Sequence, residues 1–546
     1  MQLGSWPACA SPFPAINTGG GGGAESLHAA APSSSAPRPV RRVLPNCKPN
    51  CCALLFASGA KFHFASYYAD HMVLQKEPSH AIIWGFGDPG SKVMLTLSQN
   101  HSIVTKMVQI EENCETWKIM LDPVAQGGPY TIEVHQYIKE EVSNLSLKDI
   151  YFGDVWICSG QSNMEMTVSQ IFNASKEMED ASKYPLVRIF STALIQSEVE
   201  LQDLGGVNLQ WSIPTARNLG HGDFSYFSAV CWLFGQYLFE KLKYPIGLID
   251  TSWGGTPIEA WSSKKALNEC GLLDYIERSP PLYLDAGPRE VSVLWNAMIH
   301  PFINMTIQGV IWYQGEANTL MNTDMYNCTF PALIDDWRKA FHEGSDGQTN
   351  KQFPFGFVQI SGKFPRIRWH QTADYGYAPN KRMSNTFMAV TIDLGDNESP
   401  YGSIHPRDKR TVAYRLHLGA LAVAYGEKSI IFQGPYPRKV EVNETHRLLN
   451  ITFEECVQLR HMDNKTFEVC CLNQGTCSWK PASIVSSSSY SVILQNPTCS
   501  DGIKGLRYAW SEWPCEYKQC PIYNLQELPA PPFITFSQNN PAWILL

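Results

Sequence analysis

The sequence reads as an α/β protein with β-rich segments on either side of a central strand–helix domain, and three stretches carry that reading. Residues 61–148 hold short alternating patterns separated by turn signals. Residues 149–426 alternate apolar runs of strand length with helical patterns. That alternation argues for a parallel sheet covered by helices. Residues 427–546 return to short alternating strands.

Residues 1–60 stand apart. They are rich in Ala, Gly, Pro and Ser, with Gly19 to Gly23 contiguous, a composition that buries too little apolar surface to order itself. The run Cys51–Ala57 follows Arg41, Arg42 and Lys48. It has the character of a short signal core set unusually far into the chain. The segment is read as disordered, or as an atypical targeting start.

In the first β segment, Val93, Leu95 and Leu97 alternate, as do Ile119 with Leu121 and Ile132 with Val134. Turns are signalled at Gly87–Gly90 and Gly127–Pro129. A small β-sandwich is expected. In the central segment, strands are expected at Ile150–Cys158, Ile246–Ile249, Gly309–Tyr313 and Phe387–Ile392. Helices are expected over Tyr226–Leu242, stopped by Pro245, and Thr411–Tyr425, with Pro406 and Asp408 near its start and Gly426 at its stop. In the last segment, Val440 with Val442, Ile451 with Phe453 and Phe467 with Val469 mark strands of a second β domain.

Hydrophobic residues make up 44% of the 546, enough to fill real cores. Charged residues are 17% and the net charge is −8, which gives nucleic acid or an anionic membrane no reason to bind. No run of eighteen apolar residues suggests a membrane span. Seven of the 16 cysteines (Cys456, Cys470, Cys471, Cys477, Cys499, Cys515, Cys520) crowd the last hundred residues without zinc spacing. They read as disulfides, made in an oxidising compartment, and the odd number means that at least one partner lies elsewhere or one thiol is free. Glycosylation acceptors stand at Asn100, Asn144, Asn173, Asn304, Asn327, Asn397, Asn443, Asn450 and Asn464. Ordinary composition gives about three in this length, so a secretory route, lysosomal or extracellular, is expected.

The chemistry is expected where strands end. In open α/β sheets, ligands bind outside the carboxyl ends of the strands, and four expected strands each run into a polar, glycine-rich motif. The first is Cys158-Ser-Gly-Gln-Ser-Asn-Met164. A serine at a strand-to-helix turn gains the helix's free N–H groups, as an acyl-transfer nucleophile requires. Alone, it is as readily a helix cap. The second is Thr251-Ser-Trp-Gly-Gly-Thr-Pro-Ile-Glu259, whose Gly254 and Gly255 let backbone approach a ligand. The third is Trp312-Tyr-Gln-Gly-Glu-Ala-Asn318, where Asn318 is a candidate anion donor and Glu316 a candidate to orient a histidine. The fourth runs from Asp393-Leu-Gly-Asp396 to Gly402-Ser-Ile-His-Pro-Arg-Asp-Lys409, with His405 just before a helix. Weight rests on their joint placement.

These blocks resemble the sialic acid-specific acetylesterase family of SGNH-type hydrolases. The likeness runs from about Phe64 to Phe533, including His71-Met-Val-Leu-Gln-Lys-Glu77 and Trp513-Pro-Cys-Glu-Tyr-Lys-Gln-Cys520. It implies a flavodoxin-like α/β/α sandwich with accessory β domains, hydrolysis of O-acetyl esters on sialic acids, and no metal or organic cofactor. Ser162 matches the family nucleophile and His405 its base. The family pattern places an Asp three residues before the His, where this chain has Gly402. The third triad member is thus left between Glu316, Asp393 and Asp396. The expected oxyanion donors are the Ser162 N–H, Gly254 or Gly255, and Asn318. Gln161, Trp253 and Gln314 are candidate substrate contacts, and Arg368 and Arg407 are candidate partners for the substrate carboxylate. An esterase for another acetylated sugar such as xylan, or a non-catalytic sugar-binding protein, stays open. Amino-terminal sequencing of the secreted protein is expected to find a start beyond residue 60; finding residue 1 would refute the targeting reading.

Overall fold

The computed structural model describes residues 62–537, apart from 100, 274–286, 363, 444, 474, 498, 500 and 501, together with 542–544. The expectations for residues 1–60 and for Asn100 lie outside these. The centre is a largely parallel sheet. Its strands are β1 (Glu141–Gly160), β2 (Val187–Thr192), β3 (Val207–Ser212), β4 (Ile246–Asp250), β5 (Gly309–Tyr313), β6 (Phe355–Gln359) and β7 (Thr386–Val390), in the spatial order β3-β2-β4-β1-β5-β6-β7. Only β3 runs antiparallel to its neighbour in this row. Without the appended β2–β3 hairpin, the strands in chain order lie second, first, third, fourth, fifth, which is a doubly wound order. The switch point of such a sheet falls between β1 and β5.

Helices cover both faces, as residue parity requires. Trp156 pairs in register with Gly309, and Trp312 with Ser159, so the two tryptophans point to opposite faces. Trp156 packs on Phe234 and Phe387 beneath α2 (Ala229–Leu242). Trp312 packs on Phe330 and Trp337 of α3 (Tyr326–Gly344). Both indoles are fully buried, and each such ring removes about 150–250 Å² from water. Helix α2 starts three residues later than the sequence suggests. Ser228 caps it by accepting from Cys231 N, and Tyr226 sits at φ +69, outside helical space. Helix α4 (Lys409–Val423) is capped by Asp408, which accepts from Thr411 N. Strands β2, β3 and β6 and helix α3 carry no pattern that sequence reading singled out; β2 and β6 are buried along their whole length, so neither shows alternation.

The accessory β segments join this centre through shared structure. Strand β1 also pairs with Gly127–Ile138, which pairs with Lys92–Gln99. A sequence boundary at 148/149 therefore falls inside one strand, at Asp149 (φ +56), where the register shifts and the strand bends. Arg188 and His71 both hold the Asp149 carboxylate at 2.7 Å. The carboxyl-terminal segment forms a five-stranded and a four-stranded sheet, both antiparallel. Disulfides link Cys470–Cys477, Cys471–Cys499 and Cys515–Cys520, and Cys456 is also disulfide-bonded, outside the cluster. Among the described residues, no helix is long and apolar enough to cross a membrane. Of the acceptor asparagines, Asn144, Asn173, Asn397, Asn443 and Asn464 are exposed, while Asn304, Asn327 and Asn450 are half-buried.

Two disulfides staple the central domain, Cys270–Cys328 and Cys158–Cys231. The second ties the end of β1 to the first turn of α2 across 73 residues of sequence. Replacing both Cys158 and Cys231 with Ala is expected to cost about 4 kcal/mol by loop-closure entropy. Urea unfolding measures it; an unchanged midpoint would refute the tether's role.

Candidate active site

The turn after β1 is fixed before any chemistry is considered. Gly160 has φ +141, and a Cβ there would lie 2.2 Å from Tyr313 O, so only glycine fits. Gln161 N donates to Tyr313 O at 3.0 Å. The Gln161 side-chain oxygen accepts from Gly315 N (3.4 Å) and Ala317 N (3.2 Å). The ends of β1 and β5 are thus stitched together across the switch point. Directly after comes helix α1 (Ser162–Glu165). Its first N–H groups, Ser162's included, have no intrahelical acceptor.

Ser162 Oγ donates to His405 Nε2 at 2.7 Å, and His405 Nδ1 donates to Tyr401 O at 2.7 Å. A carbonyl only accepts, so the proton sits on Nδ1 and the Nε2 lone pair faces the serine. Gly402 (φ +85) and the His405 N to Gly402 O bond make the turn that aims this carbonyl. The main chain thus fixes the tautomer, a task a carboxylate performs in a Ser-His-Asp triad. Burial lowers the His405 pKa and the Lys409 charge adds to this, while the Tyr401 carbonyl opposes both. The base is therefore neutral at more acidic pH than an ordinary histidine.

None of the three carboxylates singled out as a triad acid, Glu316, Asp393 and Asp396, hydrogen-bonds this histidine. Asp393 is fully buried and gripped by both Nη atoms of Arg415 (2.6 and 2.8 Å), with Tyr523 OH donating at 3.1 Å. Asp396 takes Nε and Nη2 of Arg407. Glu316 does lie at the site, one residue further back, where its Oε1 accepts from Asn163 Nδ2 at 2.5 Å. Asn163 Nδ2 also donates to Ile404 O (2.9 Å), and its Oδ1 accepts from Lys409 Nζ (2.5 Å). A buried Lys409–Asn163–Glu316 row therefore braces the residue next to His405. Burial raises the Glu316 pKa against Asn163 and Lys409, and pushes Lys409 down to about 7 against Glu316, Asp408 and Asp396.

Other expected contacts are spent elsewhere. Asn318 is fully buried, with Oδ1 accepting from Ile258 N and Gln314 Nε2 and Nδ2 donating to Glu259. It shapes the loop and has no donor turned to an oxyanion. Gln314, also fully buried, completes that network through Tyr326 OH. Arg368 is fully buried and donates to the carbonyls of Ala509 and Ser511, joining the central and carboxyl-terminal segments rather than meeting substrate. Arg407 lies on Phe172 with its fork on Asp396, and lines a cleft with Arg410 and Tyr517. Trp253, Gly254 and Gly255 are half-buried beside Ser162, but Gly254 N donates to Glu165 Oε2 at 2.7 Å. Gly254 is thus not a vacant oxyanion donor. Sequence reasoning missed Asn163, Glu165, Lys409 and Phe224. The first three stand in or beside the quoted motifs, as polar residues flanking the serine and the histidine. Phe224 (φ +48) puts its ring edge-on to His405 at 5.3 Å, and no sequence pattern marks it.

Lys409 acts on His405 through charge and through Asn163. At pH values where His405 titrates, Lys409 is still protonated. Lys409→Met removes a positive neighbour, so the acid limb of kcat/KM is expected to move to higher pH. Loss of the Asn163 anchor is expected to lower kcat by about ten- to a hundredfold. An acid limb unmoved in a folded K409M would show that the lysine is structural only.

Known proteins resemble this arrangement. A sequence model described as "Carbohydrate esterase, sialic acid-specific acetylesterase" matches residues 152–405. Another, "Sialate O-acetylesterase C-terminal domain", matches residues 438–537. The human sialate O-acetylesterase is 55% identical over 491 residues, covering 88% of this chain and 94% of its own. The mouse protein is 53% identical over 513 residues, covering 88% and 95%. Among solved structures, a carbohydrate acetylesterase from Xanthomonas citri superposes with a TM-score of 0.71 at 27% identity, over 87% of this chain and 99% of its own. At that identity and coverage, the chain belongs to the sialate O-acetylesterase family.

Proposed function

We propose that the chain is a serine esterase of SGNH type that hydrolyses O-acetyl esters of sialic acids through an acetyl-enzyme on Ser162. The observation that carries this is the Ser162 Oγ to His405 Nε2 hydrogen bond of 2.7 Å, with the histidine tautomer locked by Tyr401 O. His405 takes the Ser162 proton as Oγ attacks the acetyl carbonyl. The electron pair moves to the carbonyl oxygen, which faces the Ser162 N–H at the helix start. Collapse of the tetrahedral species expels the sugar oxygen, which takes the proton from His405. Water, deprotonated by the same histidine, then releases acetate. Substrate class follows the named activity of the 55% identical human relative.

Five disulfides among the described residues support a secretory setting, lysosomal or extracellular. Of the expected substrate contacts, Trp253 is half-buried beside the serine turn, while Gln161 is buried with its side-chain oxygen held by Gly315 N and Ala317 N. Acetate release from O-acetylated sialic acid is expected to fall at least about 10³-fold in Ser162→Ala, with acetylated xylan a poorer substrate for the wild type. Equal activity of wild type and S162A would remove Ser162 from the mechanism, and preference for xylan would reassign the substrate.

A further inference from the structure

The carboxyl group of Glu165 lies beside the serine turn, on the Gly254 backbone. Its Oε2 lies 2.7 Å from Gly254 N. A Cβ built on Gly254 would meet that oxygen at 2.8 Å and Ser162 Cβ at 3.3 Å, so the carboxyl and the serine side chain both border Gly254. Ser162 and Glu165 are three residues apart on one short helix, which puts both on the same face. Among the described residues, Glu165 has no cation partner, unlike Asp393, Asp396 and Asp408, which pair with Arg415, Arg407 and Lys518. Its charged neighbour is another acid. Asp250, buried at the end of β4, accepts from Ser252 N, Ser252 Oγ and Ser228 N.

An unpaired, largely buried carboxyl beside a second acid keeps its proton. Burial first and Asp250 second push Glu165 up to about 8, against the Gly254 N–H. Asp250 is itself pushed up to about 6 by burial. The other titratable groups nearby hold the same helix through Ser162 and Asn163. His405 holds Ser162, Lys409 holds Asn163, and Glu316 accepts from Asn163. In the mildly acidic to neutral range, Glu165 therefore carries an O–H, and a neutral acid can donate where a carboxylate only accepts.

We propose that Glu165 completes the oxyanion hole as a neutral carboxylic acid, with one oxygen on the Gly254 N–H and its O–H donating to the oxyanion formed on the acetyl group. This rests on the Ser162 acyl-transfer reading. The proton balance of that reading is unchanged: Ser162 gives its proton to His405, the sugar oxygen later takes it, and Glu165 keeps its own throughout. Gly254 then serves the hole at one remove, by orienting the acid that serves it directly. The ionised form would repel the oxyanion, so the rate declines as pH rises through the Glu165 pKa.

The test compares kcat and KM across pH for wild type, Glu165→Gln, Glu165→Ala and Ser162→Ala on an O-acetylated sialic acid, with thermal unfolding as the fold check. E165A is expected to lose about 10²–10³ in kcat with a much smaller change in KM. E165Q, whose amide still donates, is expected to stay within about tenfold of wild type and to lose the decline seen near pH 8. Wild-type kcat in E165A, an equal loss in folded E165Q and E165A, or the same alkaline decline in wild type and E165Q would each overturn the proposal. Acetate release surviving in S162A would instead overturn the acyl-transfer reading beneath it, which the Glu165 variants alone cannot do.

Discussion

The parallel pairing of β1 with β5 at the switch point is the constraint from which the site follows. One backbone bond, Gln161 N to Tyr313 O, and one side chain, Gln161, fix the serine turn to the Glu316 loop. Gly160 is required because no Cβ fits between the strands. With those ends fixed, α1 has one place to begin, and Ser162 meets a histidine delivered 243 residues later. The Cys158–Cys231 link and the Ala229 N to Met166 O bond hold the same turn from the helix side.

The site differs from an acid-completed triad in how its histidine is held. A carbonyl fixes the imidazole tautomer as well as a carboxylate does, but it lends less charge to the imidazolium that forms during attack. The rest of the environment points the same way. Burial and Lys409 both disfavour a charged His405. Such a base is ready to accept a proton at low pH and returns it readily to the leaving sugar oxygen. Gly402 makes this possible, since its positive φ turns the Tyr401 carbonyl toward the ring.

Much of this was legible in the sequence, for stated physical reasons. Strands β1, β4, β5 and β7 announced themselves as apolar runs ending in polar motifs, and Ser162 and His405 lie where those motifs converge. Strands β2 and β6 did not, although β4, β5 and β7 are buried as completely: Arg188 interrupts the apolar run of β2, and neither strand leads into one of the four motifs. The misassigned residues share a cause. Asp393, Arg368 and Asn318 are polar and near the strand ends, which is also where a buried scaffold needs hydrogen bonds. Sequence cannot distinguish an Asp that faces a histidine from one held by Arg415 and Tyr523, residues 22 and 130 positions away. Gly402 was legible as a departure from the family pattern, but its remedy, a main-chain carbonyl, leaves no side-chain signature.

Strand β1 runs unbroken from the amino-terminal β layer through the bend at Asp149 to the residue before Gln161. It is an edge-to-centre beam shared by two layers, with antiparallel partners at one end and parallel partners at the other. A strand's register cannot slip in one half alone, because a single-residue shift turns every side chain over. The β layer that precedes the nucleophile is therefore part of its mounting. A cut at the apparent boundary would sever the strand that holds the serine in line, and proteolytic nicking or local opening in that layer would reach the chemistry without touching a residue of the site.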